Sequence, residues 1–159
     1  YTQLIYNKGP LVVHMMRTQL GNDNFRTAMK NIHSKYRGQN ITTEMLAIEL
    51  SNVTKYNWDY FFDQWFRGVG IPEVHYKWKT TPKDGKFLFE LTFTQKDNEN
   101  FKKFVAVPVV WKGKGKEEAR KEFPFFQQGQ TLQAMLPFDP KEVAIDPDPN
   151  LLADFVLDK

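Results

Sequence analysis

"NWDYFFDQWFRGVGIPEV", residues 57 to 74, holds the boundary between two kinds of sequence. On its near side Trp58, Phe61, Phe62, Trp65 and Phe66 fall at i, i+3, i+4, i+7 and i+8, an aromatic stripe at helical spacing with Asp59 and Asp63 opposite it. At about 2 kcal/mol per fully buried ring, such a stripe contributes roughly 10 kcal/mol before chain entropy is charged, so the segment has to pack against other structure. On its far side Gly68, Gly70 and Pro72 end the helical pattern, and from Val74 the apolar period is two.

Upstream of this stretch the spacing predicts three more helices. The first begins at Pro10, where a missing N–H costs nothing, buries Val12, Met15, Met16 and Leu20, and stops at Gly21. The second follows an Asn22/Asp23 cap, turns Phe25, Met29, Ile32 and Tyr36 inward and ends at Gly38. The third starts from a Thr42 or Thr43 cap, places Glu44 favourably in its first turn and buries Leu46, Leu50 and Val53. Asn57 is the expected cap of the fourth, aromatic helix.

Downstream, Val74, Tyr76 and Trp78 alternate with His75, Lys77 and Lys79, and Phe87, Phe89, Leu91 and Phe93 alternate with Leu88, Glu90 and Thr92. Asp84-Gly85 is the hairpin signal between these strands. Further strands are expected at 104–111, around 122–126, at Leu132, Ala134 and Leu136, and at Val143 and Ile145. About seven short strands punctuated by Gly, Pro and Asp read as a small antiparallel β-sandwich. The fold class is therefore α+β in two parts, a helical bundle over residues 1–70 and a sandwich over 71–159.

Composition narrows the function. With 41% hydrophobic and 15% aromatic residues, 159 residues suffice for one ordinary or two small packed domains. No apolar run reaches the ~20 residues of a membrane span, and no secretory leader pattern opens the chain. The compartment is open, with bacterial cytoplasm or periplasm the expected settings of a soluble chain. The sequence starts at Tyr1-Thr2-Gln3 and reads as an excised piece. The absence of cysteine removes disulfides, thiolate nucleophiles and Cys-type zinc sites. A pI near 9.0 suggests nucleic acid, but the net charge is only +3. Residues 1–70 carry 8 Lys/Arg against 5 Asp/Glu, and residues 71–159 carry 14 against 14, so no basic face is indicated. Lys112, Lys114 and Lys116 alternate with glycines ahead of Glu117 and Glu118, which is the pattern of a solvated hairpin tip.

The catalytic inventory is short. His14, His33 and His75 are scattered, and the chain has no His-Glu-x-x-His pair, nucleophile elbow, P-loop or dinucleotide fingerprint. Asp139, Asp146 and Asp148 suggest calcium, but each precedes a proline and reads first as turn chemistry.

Two stretches taken together carry more. "LIYNKGPLVVHMMRTQLGNDNFRTAMKNI", residues 4–32, and the opening stretch resemble, in order and spacing, the zinc aminopeptidase family of aminopeptidase N and leukotriene hydrolase, the gluzincins. In that family a Tyr-x-Lys-Gly segment opens a helix after the zinc site, a Leu-Gly…Phe segment continues it, and Phe-Phe-x-Gln-Trp closes the catalytic domain before a Gly-x-Pro passage into a β-sandwich. The matching residues are Tyr6, Lys8 and Gly9; Leu20, Gly21 and Phe25; Phe61, Phe62, Gln64 and Trp65; Gly70 and Pro72. Pro10 replaces the family's more frequent alanine, a change that a first helical position accepts. Beyond Pro72 the likeness rests on strand patterning and on "VAIDPDPNLLADF", residues 143–155.

The resemblance implies that residues 1–70 are the C-terminal half of a thermolysin-like catalytic domain and that Tyr6 is the catalytic residue within it, stabilising an oxyanion. It implies a structural role for Lys8. It also implies that the zinc ligands, the catalytic glutamate and the Gly-x-Met-Glu-Asn segment that holds the substrate amine lie upstream of Tyr1. The fragment would then bind no zinc and be inactive alone. Its partners would be a peptide substrate in the parent and the N-terminal half of the catalytic domain, with no nucleic acid and no membrane span. A non-catalytic relative that keeps the fold as an interaction scaffold is the alternative.

Overall fold

The computed structural model describes residues 8–97 and 100–158. The chain divides into two compact units, Tyr1–Gly70 and Ile71–Lys159. Helices and sheets are segregated between them, and the fold is α+β.

The first unit contains α1 (Gly9–Leu20), α2 (Asn22–Lys35), α3 (Thr43–Thr54) and the short α4 (Asp59–Phe62). Helix α1 begins where proline is tolerated and buries Val12, Met15, Met16 and Leu20. It ends at Gly21, whose φ of 76° is open to glycine at no steric cost. Helix α2 follows directly, and Asn22 and Asp23 are its first helical residues rather than its cap. The single residue available between the helices leaves no room for a separate capping position. Only Ala28 of α2 is fully buried, while Phe25, Met29 and Ile32 are half-covered. Helix α3 is capped as expected by Thr42, whose hydroxyl accepts from the Met45 amide. Its most buried positions are Ala47, Glu49 and Leu50, so Leu46 and Val53 move to half-buried flanks.

The aromatic stretch departs most from expectation. Asn57 does not cap α4 in the ordinary sense; its side chain accepts from the Asp59 amide two residues on, at 2.7 Å. After Phe62 the chain continues as a π-helical segment, Asp63–Arg67. A π turn bonds i to i+5 and advances less per residue than an α turn, so later side chains fall behind the original stripe. Trp58, Phe61, Phe62 and Trp65 are buried, but Phe66 is 42% exposed. Phe66 instead lies against Phe62, with ring centroids 4.8 Å apart.

The second unit contains β1 (Glu73–Lys83), β2 (Lys86–Gln95), β3 (Phe104–Lys112), β4 (Glu118–Phe125), β5 (Gln130–Leu136), β6 (Glu142–Ile145) and β7 (Asp154–Leu157). They form a four-stranded sheet, β5-β2-β1-β7, and a three-stranded sheet, β4-β3-β6. Asp84 and Gly85, both at positive φ, make the two-residue turn that sets Lys83 opposite Lys86. Alternation then turns Val74, Phe89, Leu91 and Phe93 inward. Rings from the two sheets meet in the core, Phe89 on Trp111 at 5.2 Å and Phe93 on Phe125 at 5.2 Å.

The expected all-antiparallel arrangement needs one correction. Strand β7 pairs parallel to β1, with Glu73 opposite Asp154 and Tyr76 opposite Leu157. The chain reaches this edge from β6 of the other sheet. Buried Leu151 and Leu152 anchor the crossing, and it arrives running in the same direction as β1.

Candidate functional site

The residue expected to act, Tyr6, lies outside the described residues. The first described residue after it is Lys8, at the start of α1. Lys8 precedes Gly9 with helical backbone angles, no side chain caps the helix, and no acidic residue occupies its first turn. Lys8 is itself π-helical and runs without a break into α1. Its side chain donates to the Gly68 carbonyl, 3.4 Å from Nζ, immediately after the Asp63–Arg67 π segment.

That segment is held from its polar side. Arg67 donates to Asp63 Oδ1 at 2.5 Å and to Glu44 Oε1 at 2.6 Å, clamping the π turn to the first turn of α3. Glu44 is held down to about 2, chiefly by the bond to its own backbone amide and then by Arg67 and the hydroxyls of Thr42 and Thr43. Burial pushes the Tyr60 phenol, on α4, up to about 12. A second polar cluster joins α2 to α3. Buried Glu49 accepts from Lys35 at 2.5 Å and from the Tyr36 hydroxyl at 3.4 Å.

The remaining sequence candidates stay separate. His14 and His33 stand on exposed faces of α1 and α2. His75 in β1 has Nδ1 2.6 Å from Asp158 Oδ1 and Nε2 2.8 Å from Glu73 Oε1. Both acceptors are carboxylates, so satisfying both requires a donor on each ring nitrogen, which only the imidazolium provides. The pKa of His75 is accordingly raised, first by Asp158 and then by Glu73. Lys96 completes the group on Glu73 at 3.2 Å.

The aspartates serve turns. Asp146, at φ 46°, accepts from the amides of Asn150 and Leu151 at 2.9 and 2.8 Å, while Asp148 pairs with Arg120 and Asp139 with Lys141. At the hairpin tip Glu117 accepts from the Gly115 amide. Among the described residues no group of three or more His, Asp or Glu is placed to hold a metal ion, so they do not fit a zinc site.

Sequence reasoning missed the Glu44–Arg67–Asp63 clamp and the Glu49 cluster. The Asp63/Arg67 half was visible as an i, i+4 pair. Glu44 is 23 residues from Arg67 and offers no periodic signal.

The model of the peptidase family M1 domain matches residues 1–65. Among solved structures, aminopeptidase A of Legionella pneumophila, determined in complex with aspartic acid, superposes with a TM-score of 0.84 at 18% identity. The match covers 100% of this chain and 18% of the Legionella chain. At that identity the likeness is one of fold. No curated protein gives a significant match. The residues matched by that family model, 1–65, make up most of the helical unit.

Proposed function

We propose that this chain is part of a zinc-dependent aminopeptidase that removes N-terminal residues from peptides, and that it supplies the oxyanion-stabilising tyrosine, Tyr6, but not the metal ligands. The carrying observation is the family match over residues 1–65, which contains Tyr6, Lys8 and Gly9 in the order noted from sequence. The half-covered apolar face of α2 supports a helical unit that packs against further chain, the C-terminal part of a catalytic domain. The ring pairs between the two sheets support a β-sandwich in the second unit.

A phenol suits the role assigned to Tyr6. With an ordinary pKa of ~10 it stays a neutral donor near pH 7, and it strengthens its hydrogen bond as charge develops on the carbonyl oxygen under attack. Zinc would supply the activated water from ligands outside the described residues, and this chain alone is then inactive.

The test is an assay of the longer protein on aminoacyl amides and short peptides. Release of N-terminal residues that stops on chelation and returns with zinc supports the reading. A folded, zinc-free protein without peptidase activity would instead assign the chain to a non-catalytic scaffold.

A further inference from the structure

The outer face of the four-stranded sheet is polar by pattern. Alternation turns Val74 and Tyr76 of β1 inward and leaves His75, Lys77 and Lys79 on the other face, opposite Thr94, Thr92 and Glu90 of β2. The β2–β5 register then sets Thr131 opposite Thr92 and Gln133 opposite Glu90. The charges on this face sort into two closed groups with a gap between them.

In one group Lys79 donates to Glu90 Oε2 at 2.9 Å and Gln133 donates to Glu90 Oε1 at 3.0 Å, so both carboxylate oxygens are engaged. In the other, His75 and Lys96 are taken up by Asp158 and Glu73. Lys77 stands between them, and among the described residues no carboxylate pairs with it. Beside it the Thr92 and Thr131 hydroxyls bond to each other at 3.0 Å. That bond uses one of the two hydroxyl hydrogens, and the second remains a donor. The face is hollowed at this point: a concavity of about 400 Å³ is lined by Lys77, Lys79, Glu90, Thr92 and Thr131. Two ammonium groups against one carboxylate leave it positively charged.

We propose that this hollow is a carboxylate-binding site, in which the Lys77 ammonium and the remaining Thr92/Thr131 hydroxyl hydrogen donate to the two oxygens of one carboxylate. Glu90 does not compete for Lys77, because Lys79 and Gln133 already hold it. A carboxylate suits these donors better than a phosphate. Strand amides lie in the plane of the sheet and are spent in its ladders, so the face offers side-chain donors alone, with no guanidinium fork or amide nest to serve three charged oxygens. The occupant is a small organic acid or an acidic peptide side chain, which share this chemistry. The site lies within the sheet unit and makes no use of Tyr6 or zinc, so it stands or falls separately from the proposed function.

The experiment titrates the whole chain, at low salt, with succinate, with acetyl-Glu-Glu-amide and with inorganic phosphate, and follows backbone amide shifts by NMR. Succinate and the peptide should give saturable shifts centred on Lys77, Thr92 and Thr131, and phosphate a weaker response. The tighter of the first two identifies the source of the carboxylate. Lys77→Met should weaken succinate binding about tenfold, the scale of a lost hydrogen bond to a charged group. Thr92→Val combined with Thr131→Val should weaken it about threefold. Glu90→Gln should strengthen it severalfold by removing the nearest negative charge. Lys114→Met makes the same charge change as Lys77→Met at the distant hairpin tip and should leave binding as it was.

Shifts that grow without saturating make this an ordinary solvated sheet face and overturn the proposal. So does a loss in Lys114→Met equal to that in Lys77→Met, which reduces the effect to overall charge. Phosphate binding tighter than succinate overturns the carboxylate assignment, and weaker binding by Glu90→Gln overturns the division of roles between Glu90 and Lys77.

Discussion

The sheet unit and the helical unit solve burial differently. In the sheets, Phe89, Leu91, Phe93, Phe104, Val107, Val109 and Phe125 are all fully enclosed, and rings from opposite sheets meet, Phe89 edge to face with Trp111 and Phe93 tilted on Phe125. In the helices, Val12, Met15, Met16 and Leu20 of α1 and the rings of Trp58, Phe61, Phe62 and Trp65 are enclosed, but Phe66 is exposed and α2 buries only Ala28 completely, with three half-covered apolar residues. The sheet unit completes its own core. The helical unit is held more by polar ties at its ends, Arg67 to Glu44, Lys35 to Glu49 and Lys8 to Gly68. The two units thus differ in how much of their apolar surface each covers by itself.

Substitutions can break this contrast. The largest stability effect is expected for Phe89→Ala, which removes a fully enclosed ring at about 3–5 kcal/mol. Ile32→Ala on the half-covered face of α2 should cost only about 1 kcal/mol. Urea unfolding monitored by hydrogen exchange in each unit measures both, and equal costs would abolish the distinction. Asp146→Ala should cost about 1–3 kcal/mol, since it leaves the Asn150 and Leu151 amides without their acceptor at a positive-φ position. Thr42→Ala should cost about 1 kcal/mol through the lost cap of α3, with α1 unaffected.

The smallest effect sharpens the contrast through pH. The folded-state pKa of His75 is raised, so its contribution to holding β7 on β1 is complete below about 6.5 and fades as pH rises through the raised value. The pKa of Glu73 is lowered, by His75 first and Lys96 next, so its contribution is complete above the ordinary carboxylate value near 4.5 and fades as pH falls through the lowered one. The edge strand should therefore be most firmly held between about pH 5 and 6.5. In His75→Gln the exchange protection of β7 should lose its alkaline decline. An unchanged decline would place its cause elsewhere.

Much of the fold was legible because its signals were local. Pro10 and Gly21 bounded α1, and Asp84-Gly85 fixed a hairpin register. The β7 strand was not legible, since Asp154–Leu157 is only four residues long, follows proline-rich turns and pairs with residues some 80 positions away. The π turn was hidden for a related reason. Periodicity at 3.6 assigned Phe66 to the core, while the Arg67 clamp and the packing of Trp65 settled the local winding. The polar ties were invisible because sequence pattern records faces, not partners. The candidate site divides similarly: Tyr6 entered through a motif resemblance, whereas the bond from Lys8 to Gly68 spans 60 residues and required coordinates.

The central claim concerns Tyr6, and one comparison addresses it most directly: turnover of the longer protein against its Tyr6→Phe variant, at equal zinc content and equal thermal stability. Loss of the phenolic donor should lower kcat by about 10²–10³ with little change in KM. A phenylalanine variant that turns over peptide at the wild-type rate would make Tyr6 a packing residue and contradict the account.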